Sequence, residues 1–228
     1  MNIIIFSTNE FDIYQDKNKK TLFTITSKNQ NQPSLFRSIV NSKIINSSTI
    51  YYSNNENTLL IINALSIQKF EQFKEKQKKI NGSNKLSHNI IQTIIYSLSK
   101  QIFHLLHNES KCFYKLDPSN ILVIDDCKFI YLSHEHLKDV KDNQIHIYNP
   151  ISKNIGFLSP ELLNEKSLPI FINYKTIFYS LGLLILDNLT NTTNEIQIET
   201  ENNNNTKLYY FLKRCLHEKH DKRFLLYV

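Results

Sequence analysis

The sequence predicts an α+β chain with a strand-rich front and a helical rear. Roughly the first sixty residues carry short β-prone runs with the period of two that strands require. After Asn63 the apolar residues recur with the helical period of about 3.6, more clearly from Ser87 onward. A length of 228 residues, with 41% hydrophobic and 21% charged content, suffices for one well-buried domain or two small lobes.

Asn2 to Phe6, Phe11 to Tyr14 and Leu22 to Thr26 are the first β-prone runs, and the polar "YQDKNKK" makes the last two a hairpin. Pro33 to Val40 reads as a short helix opening on its proline. Thr49 to Tyr52 and Thr58 to Ile62 flank "SNNEN" and form a second expected hairpin. Ile67 to Ile80 then predicts a helix with Phe70 and Phe73 on one side. Ser87 is the N-cap of a longer helix whose apolar face runs from Ile90 to Leu106, a central buried element. Ile121 to Ile124 and Phe129 to Leu132 predict two strands turning at Asp125-Asp126-Cys127, too small for an independent sheet and therefore packed on the helices. Ser133 to Pro160 has no steady period and reads as a long loop. A helix follows Tyr174 through "FYSLGLLIL", Thr190 to Thr206 is a low-complexity mobile loop, and Lys207 to Leu216 is the last helix. The boundary falls near residue 64, giving a front at 1–64 and a rear at 65–228.

Lysine and arginine exceed aspartate and glutamate, 27 to 21, but only Lys74 to Lys79 forms a basic cluster, on a solvated helix face. No aromatic and basic module accompanies it, so nucleic acid is not an expected partner. The three cysteines, Cys112, Cys127 and Cys215, are odd in number and widely spaced, which suits free thiols in a reducing compartment. Neither His104-His107-Cys112 nor His134-Glu135-His136 has the spacing of a metal site, and no metal site is expected. The apolar runs are too short for a signal peptide or a bilayer span. An intracellular, cytoplasmic chain without membrane contact is expected.

The stretch "FYKLDPSNILV" at Phe113 to Val123 carries the chemical question. Its second half, Pro118 to Leu122, resembles the P-x-N-I-L half of the catalytic loop of the eukaryotic-type protein kinase family. Leu106-His107 precedes it as that family's "LH" does. Ser159-Pro160-Glu161 resembles the A-P-E motif, Ser180-Leu181-Gly182 the S-x-G of a buried helix, and Cys215-Leu216 with Arg223 the closing C-L…R. The resemblance covers the rear two thirds of the chain and implies a bilobal protein-kinase-like fold with a reduced N-lobe. It also implies that Glu161 pairs with Arg223 inside the rear lobe. The front matches less specifically, with Lys28 where the strand-borne lysine belongs and Leu60 to Leu65 where the hinge runs.

Phosphoryl transfer rests on charge placement, so every ligand of phosphate or metal matters. No glycine precedes Gly82, so the phosphate lid is absent. No acidic residue lies between Lys28 and Ile50, which leaves Lys28 without a local carboxylate. Ser133-His134-Glu135 stands where D-F-G belongs; a serine is a poor magnesium ligand, and Glu135 needs a shifted loop to reach the site. Ile177 replaces the buried aspartate that braces the catalytic loop. Lys115 takes the position of the catalytic base and Asp117 that of the following lysine, while Asn120, the metal-holding asparagine, is retained. A protonated lysine accepts no proton.

The expectation is a pseudokinase that acts as a protein-binding scaffold or regulator, with an unidentified protein partner and no cofactor. The alternative is a divergent serine/threonine kinase that uses ATP and Mg²⁺ through Lys28, Asn120 and Ser133, with Asp117 or Glu135 replacing the lost carboxylates. A nucleotide sensor that binds ATP without metal is a third class.

Overall fold

The computed structural model describes residues 2–28, 33–45, 50–53, 58–153, 156–190 and 207–226. The low-complexity loop expected after residue 190, and the turn at 54–57, lie outside them.

Strands β1 (Asn2–Ser7), β2 (Phe11–Asp16) and β3 (Leu22–Ser27) lead into helix α1 (Pro33–Asn41), followed by β4 (Ile50–Ser53) and β5 (Thr58–Asn63). The five strands form one antiparallel sheet in the order β1-β2-β3-β5-β4. The β2–β3 hairpin is fixed locally, because Asp16 Oδ1 accepts the N–H groups of Asn18 and Lys19 at 2.7 and 2.8 Å. Phe11, Ile13, Phe23 and Ile25 point inward together with Leu35, Phe36 and Ile39 of α1.

The rear begins with β6 (Ile67–Lys69), α2 (Phe70–Asn81) and α3 (His88–Asn108), then β7 (Lys111–Phe113), β8 (Ile121–Ile124) and β9 (Lys128–Tyr131). The helix expected from Ile67 instead starts at Phe70. Residues 67–69 pair with the open edge of β8, Ile67 opposite Ile124, and backbone pairing prevails over the helical period for that one turn. Phe70 and Phe73 pack edge-on against Phe129 at 6.1 and 5.5 Å, which seats α2 beneath the β8–β9 pair. The turn of that pair places Asp125 and Asp126 at φ of 53° and 57°, a left-handed geometry that short polar side chains tolerate.

Helix α3 is the central element, and its one fully buried polar side chain among the described residues of its inner face with a long reach, Gln101, explains how β9 attaches. Its Oε1 accepts from the Tyr131 N–H and its Nε2 donates to the Tyr131 carbonyl, both at 2.9 Å, so a side chain completes the strand's hydrogen bonding.

The remaining elements are β10 (Leu137–Lys141), β11 (Gln144–Ile147), α4 (Pro160–Asn164), β12 (Ile170–Asn173), α5 (Thr176–Thr190) and α6 (Lys207–Cys215). The long loop expected from Ser133 to Pro160 is therefore corrected: it contains a hairpin turning at Asp142-Asn143, with φ of 50° and 62°. With β7 and β12 it makes a sheet in the order β12-β11-β10-β7. The strand "LKDVK" carries too few apolar residues to reveal itself by periodicity, and its pairing partners supply the order instead.

Two close contacts hold the helical rear. Gly182 lets α5 approach α6, since a Cβ there would lie 2.8 Å from Leu216 Cδ2 and 3.0 Å from Cys215 Cβ. Arg223, fully buried, donates to both oxygens of Glu161 at 2.5 and 3.0 Å, to the carbonyls of His217 and Glu218, and lies over the Tyr179 ring at 4.8 Å. Burial pushes the Glu161 carboxyl up, but the bonds and charge of Arg223, together with its own backbone N–H and Ser159, hold it below the usual range. Replacing Glu161 by alanine strands a buried guanidinium. The expected loss is about 3 kcal/mol in urea unfolding, and a loss under about 1 kcal/mol contradicts this assignment.

Candidate functional site

A cleft of about 390 Å³ lies between the front sheet and the rear, walled by the β1–β2 turn, the loop before β8 and the turn after β9. The β1–β2 turn is tight because Thr8 Oγ1 accepts the N–H groups of Glu10 and Phe11 at 3.3 and 2.9 Å. That geometry sends the Glu10 side chain into the rear. Glu10 Oε1 accepts from Ser133 Oγ at 2.7 Å, and Oε2 accepts the backbone N–H groups of His134 and Glu135 at 2.5 and 3.1 Å. Ser133 Oγ also accepts the His136 N–H at 3.2 Å, so the serine is engaged on both sides.

The loop before β8 brings Lys115, Asp117 and Asn120 into the same cleft. Lys115 is 3% exposed; burial lowers its pKa, opposed by the charges of Asp117 and Glu135. Asp117 Oδ1 accepts the N–H and hydroxyl of Ser119 at 2.9 and 2.8 Å, capping the 3₁₀ turn Pro118–Asn120. The Asp117 N–H donates to the Tyr131 hydroxyl at 3.0 Å. That hydroxyl also lies 2.5 Å from His136 Nδ1. Gly156, at φ 84°, closes the loop from the other side: a Cβ there would meet the Leu116 carbonyl at 2.7 Å, and the neighbouring Phe157 N–H donates to that same oxygen.

Lys28 does not line this cleft. Its Nζ pairs with Asp12 at 3.0 Å and donates to the Thr8 carbonyl at 2.8 Å. The expectation that it lacks a local carboxylate is corrected: the carboxylate comes from the adjacent strand rather than from the following helix, and α1 carries Arg37, which binds Glu109 at the end of α3. Glu135 lines the cleft beside Lys115 and Asn120. Ile177 sits fully buried in the core at the brace position. Glu161, Gly182 and Arg223 lie in the rear and take no part in the cleft. Sequence reading missed Glu10, Tyr131 and His136. Glu10 had a signal, an acid in the turn "STNEF" where a phosphate lid belongs; the other two depend on contacts that no spacing encodes.

Two crystal structures from Toxoplasma gondii share this architecture. One is the kinase domain of a specific rhoptry antigen, with a TM-score of 0.58, covering 98% of this chain and 76% of its own. The other is a rhoptry kinase, with a TM-score of 0.57, covering 97% and 73%. This chain has a protein-kinase-like fold. Identity is 12% to each, which shows the fold alone. No protein-family model matches the chain, and no curated protein sequence does.

Within that bilobal α+β fold, the cleft is where a kinase holds magnesium triphosphate, and the groups present do not fit one. Magnesium requires hard oxygen ligands in an octahedral shell, whereas Ser133 Oγ is engaged by Glu10 and the His136 N–H, and one Asp117 oxygen by Ser119. No group of three or more His, Cys, Asp or Glu among the described residues is placed to share a metal ion. Likewise, no helix among the described residues is long and apolar enough to cross a membrane.

His134, in the phenylalanine position of D-F-G, stacks on Phe11 at 4.8 Å, and its Nε2 meets Ser27 Oγ at 3.1 Å. Burial lowers its pKa to about 4; burial, with help from Lys115 and Lys138, lowers that of His136 to about 3. Both folded values lie below the unfolded value of about 6.5, so the unfolded state takes up the protons first. Their stabilisation is complete above about pH 6.5 and is lost as the pH falls toward the folded values, by up to about 1.4 kcal/mol per pH unit for each histidine. Urea unfolding from pH 7 to 4 should show this decline. His134→Phe should remove its share while changing stability at pH 7 by no more than about 1 kcal/mol, and an unaltered acid limb contradicts the assignment.

Proposed function

We propose that this chain is a pseudokinase, a kinase-like scaffold that acts by binding another protein. The observation that carries the reading is the Glu10 carboxylate, which is bound to the Ser133–Glu135 turn inside the cleft. An anion held by two backbone N–H groups and a hydroxyl repels phosphate from the place where phosphate would need to lie. The base position supports it further, because a buried lysine there needs deprotonation before it can accept a substrate proton.

A divergent serine/threonine kinase is the second reading, and one observation favours it: Lys115 and Asp117 line the same cleft, so a carboxylate is present within the loop that normally carries the base. Against it, one Asp117 oxygen already caps the turn through Ser119.

Melting with ATP, with and without Mg²⁺, separates the two. A ligand present at one hundred times its Kd stabilises by about 2.7 kcal/mol, or roughly 5–10 °C for a chain of this size. The scaffold reading expects no shift in either condition and no transfer of labelled phosphate. A magnesium-dependent shift, with transfer that Asp117→Asn abolishes, establishes the enzyme instead.

A further inference from the structure

Strand β1 is an outermost strand of the front sheet, and among the described residues it pairs with β2 alone. Apart from that ladder, no hydrogen bond among the described residues reaches Asn2 to Phe6, so the outer side of the strand's backbone is open. Ile3, Ile4 and Ile5 are 50%, 54% and 41% exposed. Successive strand residues point to opposite sides, so this edge is apolar on both. Asn2 to Ser7 contains neither a charged residue nor a proline, whereas soluble proteins normally blunt an open edge with lysine, proline or a covering element. Elsewhere in the chain that rule is kept: Gln101 covers the backbone of Tyr131 in β9, and β12 turns Ile170 and Ile172 into the core and exposes Phe171.

An open edge of this kind specifies an extended strand as its occupant, because a strand matches its row of N–H and C=O groups. Charge then selects which strand. Asp12 is tied to Ser7 and Lys28, and Asp16 caps the β2–β3 turn, so the carboxylates of the neighbouring strand are engaged and the edge offers a foreign strand no charge to read. With 27 basic and 21 acidic residues, the chain repels its own copy over much of its surface but not at an uncharged edge. We propose that β1 pairs with β1 of a second copy of this chain, antiparallel about a two-fold axis, so that two front sheets become one. The pairing of β1 with β2 is regular from Asn2 to Ile4 and shifts register between Ile4 and Phe6, which sets the axis at Ile3. Ile3 then meets Ile3 of the second copy on one side of the sheet, and Ile4 meets Asn2 on the other. Lys69, over the Phe6 ring at 5.5 Å, lies past the register shift. Such a self-complementary contact closes on itself and yields a dimer rather than a polymer.

The contact is short, so the dimer is weak and depends on concentration. Light scattering on the full chain, with no tag at its N-terminus, should give a mass that rises with concentration toward that of two chains and no further. Amide exchange within Asn2 to Ile4 should slow over the same range. Ile3→Lys, a change at an exposed side chain, sets like charges opposite one another across the axis and should weaken the dimer by about tenfold or more, while the dilute protein melts as before. Phe171→Lys, on the edge strand β12, should leave the dimer intact. A mass that stays at one chain or climbs beyond two, a dimer that survives Ile3→Lys or is lost in Phe171→Lys, or one that leaves exchange in β1 unchanged overturns the proposal. A monomer whose β1 gains protection only when an uncharged isoleucine-rich peptide is added also overturns it, and assigns the edge to a foreign strand. None of these measurements involves nucleotide, so their outcome is independent of the scaffold reading.

Discussion

Glu10 joins the front sheet to the rear through three hydrogen bonds, and the order of the cleft follows from them. The carboxylate fixes the turn Ser133–His136, which seats His134 against Phe11 and Phe36 and sets His136 against Tyr131. Tyr131 in turn receives the Asp117 N–H. A line of contacts therefore runs from a surface turn of the sheet to the loop that would carry out chemistry in an active kinase. Charge-assisted bonds of this kind are among the stronger ones a protein makes, and they tolerate little movement where they are partly buried.

The residues that maintain the fold and those that would transfer phosphate have separate physical requirements, and this chain meets the first set. Arg223 needs Glu161 because a buried guanidinium without a counter-ion is strongly unfavourable. Gly182 is needed because α5 and α6 touch at its position. Neither demand involves a nucleotide. In the cleft the demands differ, since a phosphate site needs unoccupied donors and a metal site needs unoccupied anions. Here Glu10 is engaged by the Ser133–Glu135 turn and one Asp117 oxygen by Ser119.

Local pattern revealed most of the architecture. The period of two located the front strands to within a residue or two, and the apolar face after Ser87 located α3 because a long buried helix repeats its signal many times. Short elements stayed hidden. Strands of three to five residues such as β6, β7 and β10 have too few positions to show a period, and they exist because an adjacent edge pairs with them. At the cleft, Lys115, Asp117, Asn120 and Ser133 were legible from motif spacing, but their bonding was not. Glu10 lies 123 residues before Ser133, and nothing in the local sequence of either announces the contact. Lys28 shows the converse, a residue in a suggestive position whose partner, Asp12, draws it elsewhere.

The carboxylate bridge is tested most directly by amide hydrogen exchange at His134 and Glu135. Both N–H groups should exchange slowly in the native protein. In Glu10→Ala they should exchange roughly 10- to 100-fold faster, as expected for the loss of bonds to a charged acceptor, while amides of α3 keep their protection. Unchanged exchange at both positions in Glu10→Ala contradicts the account.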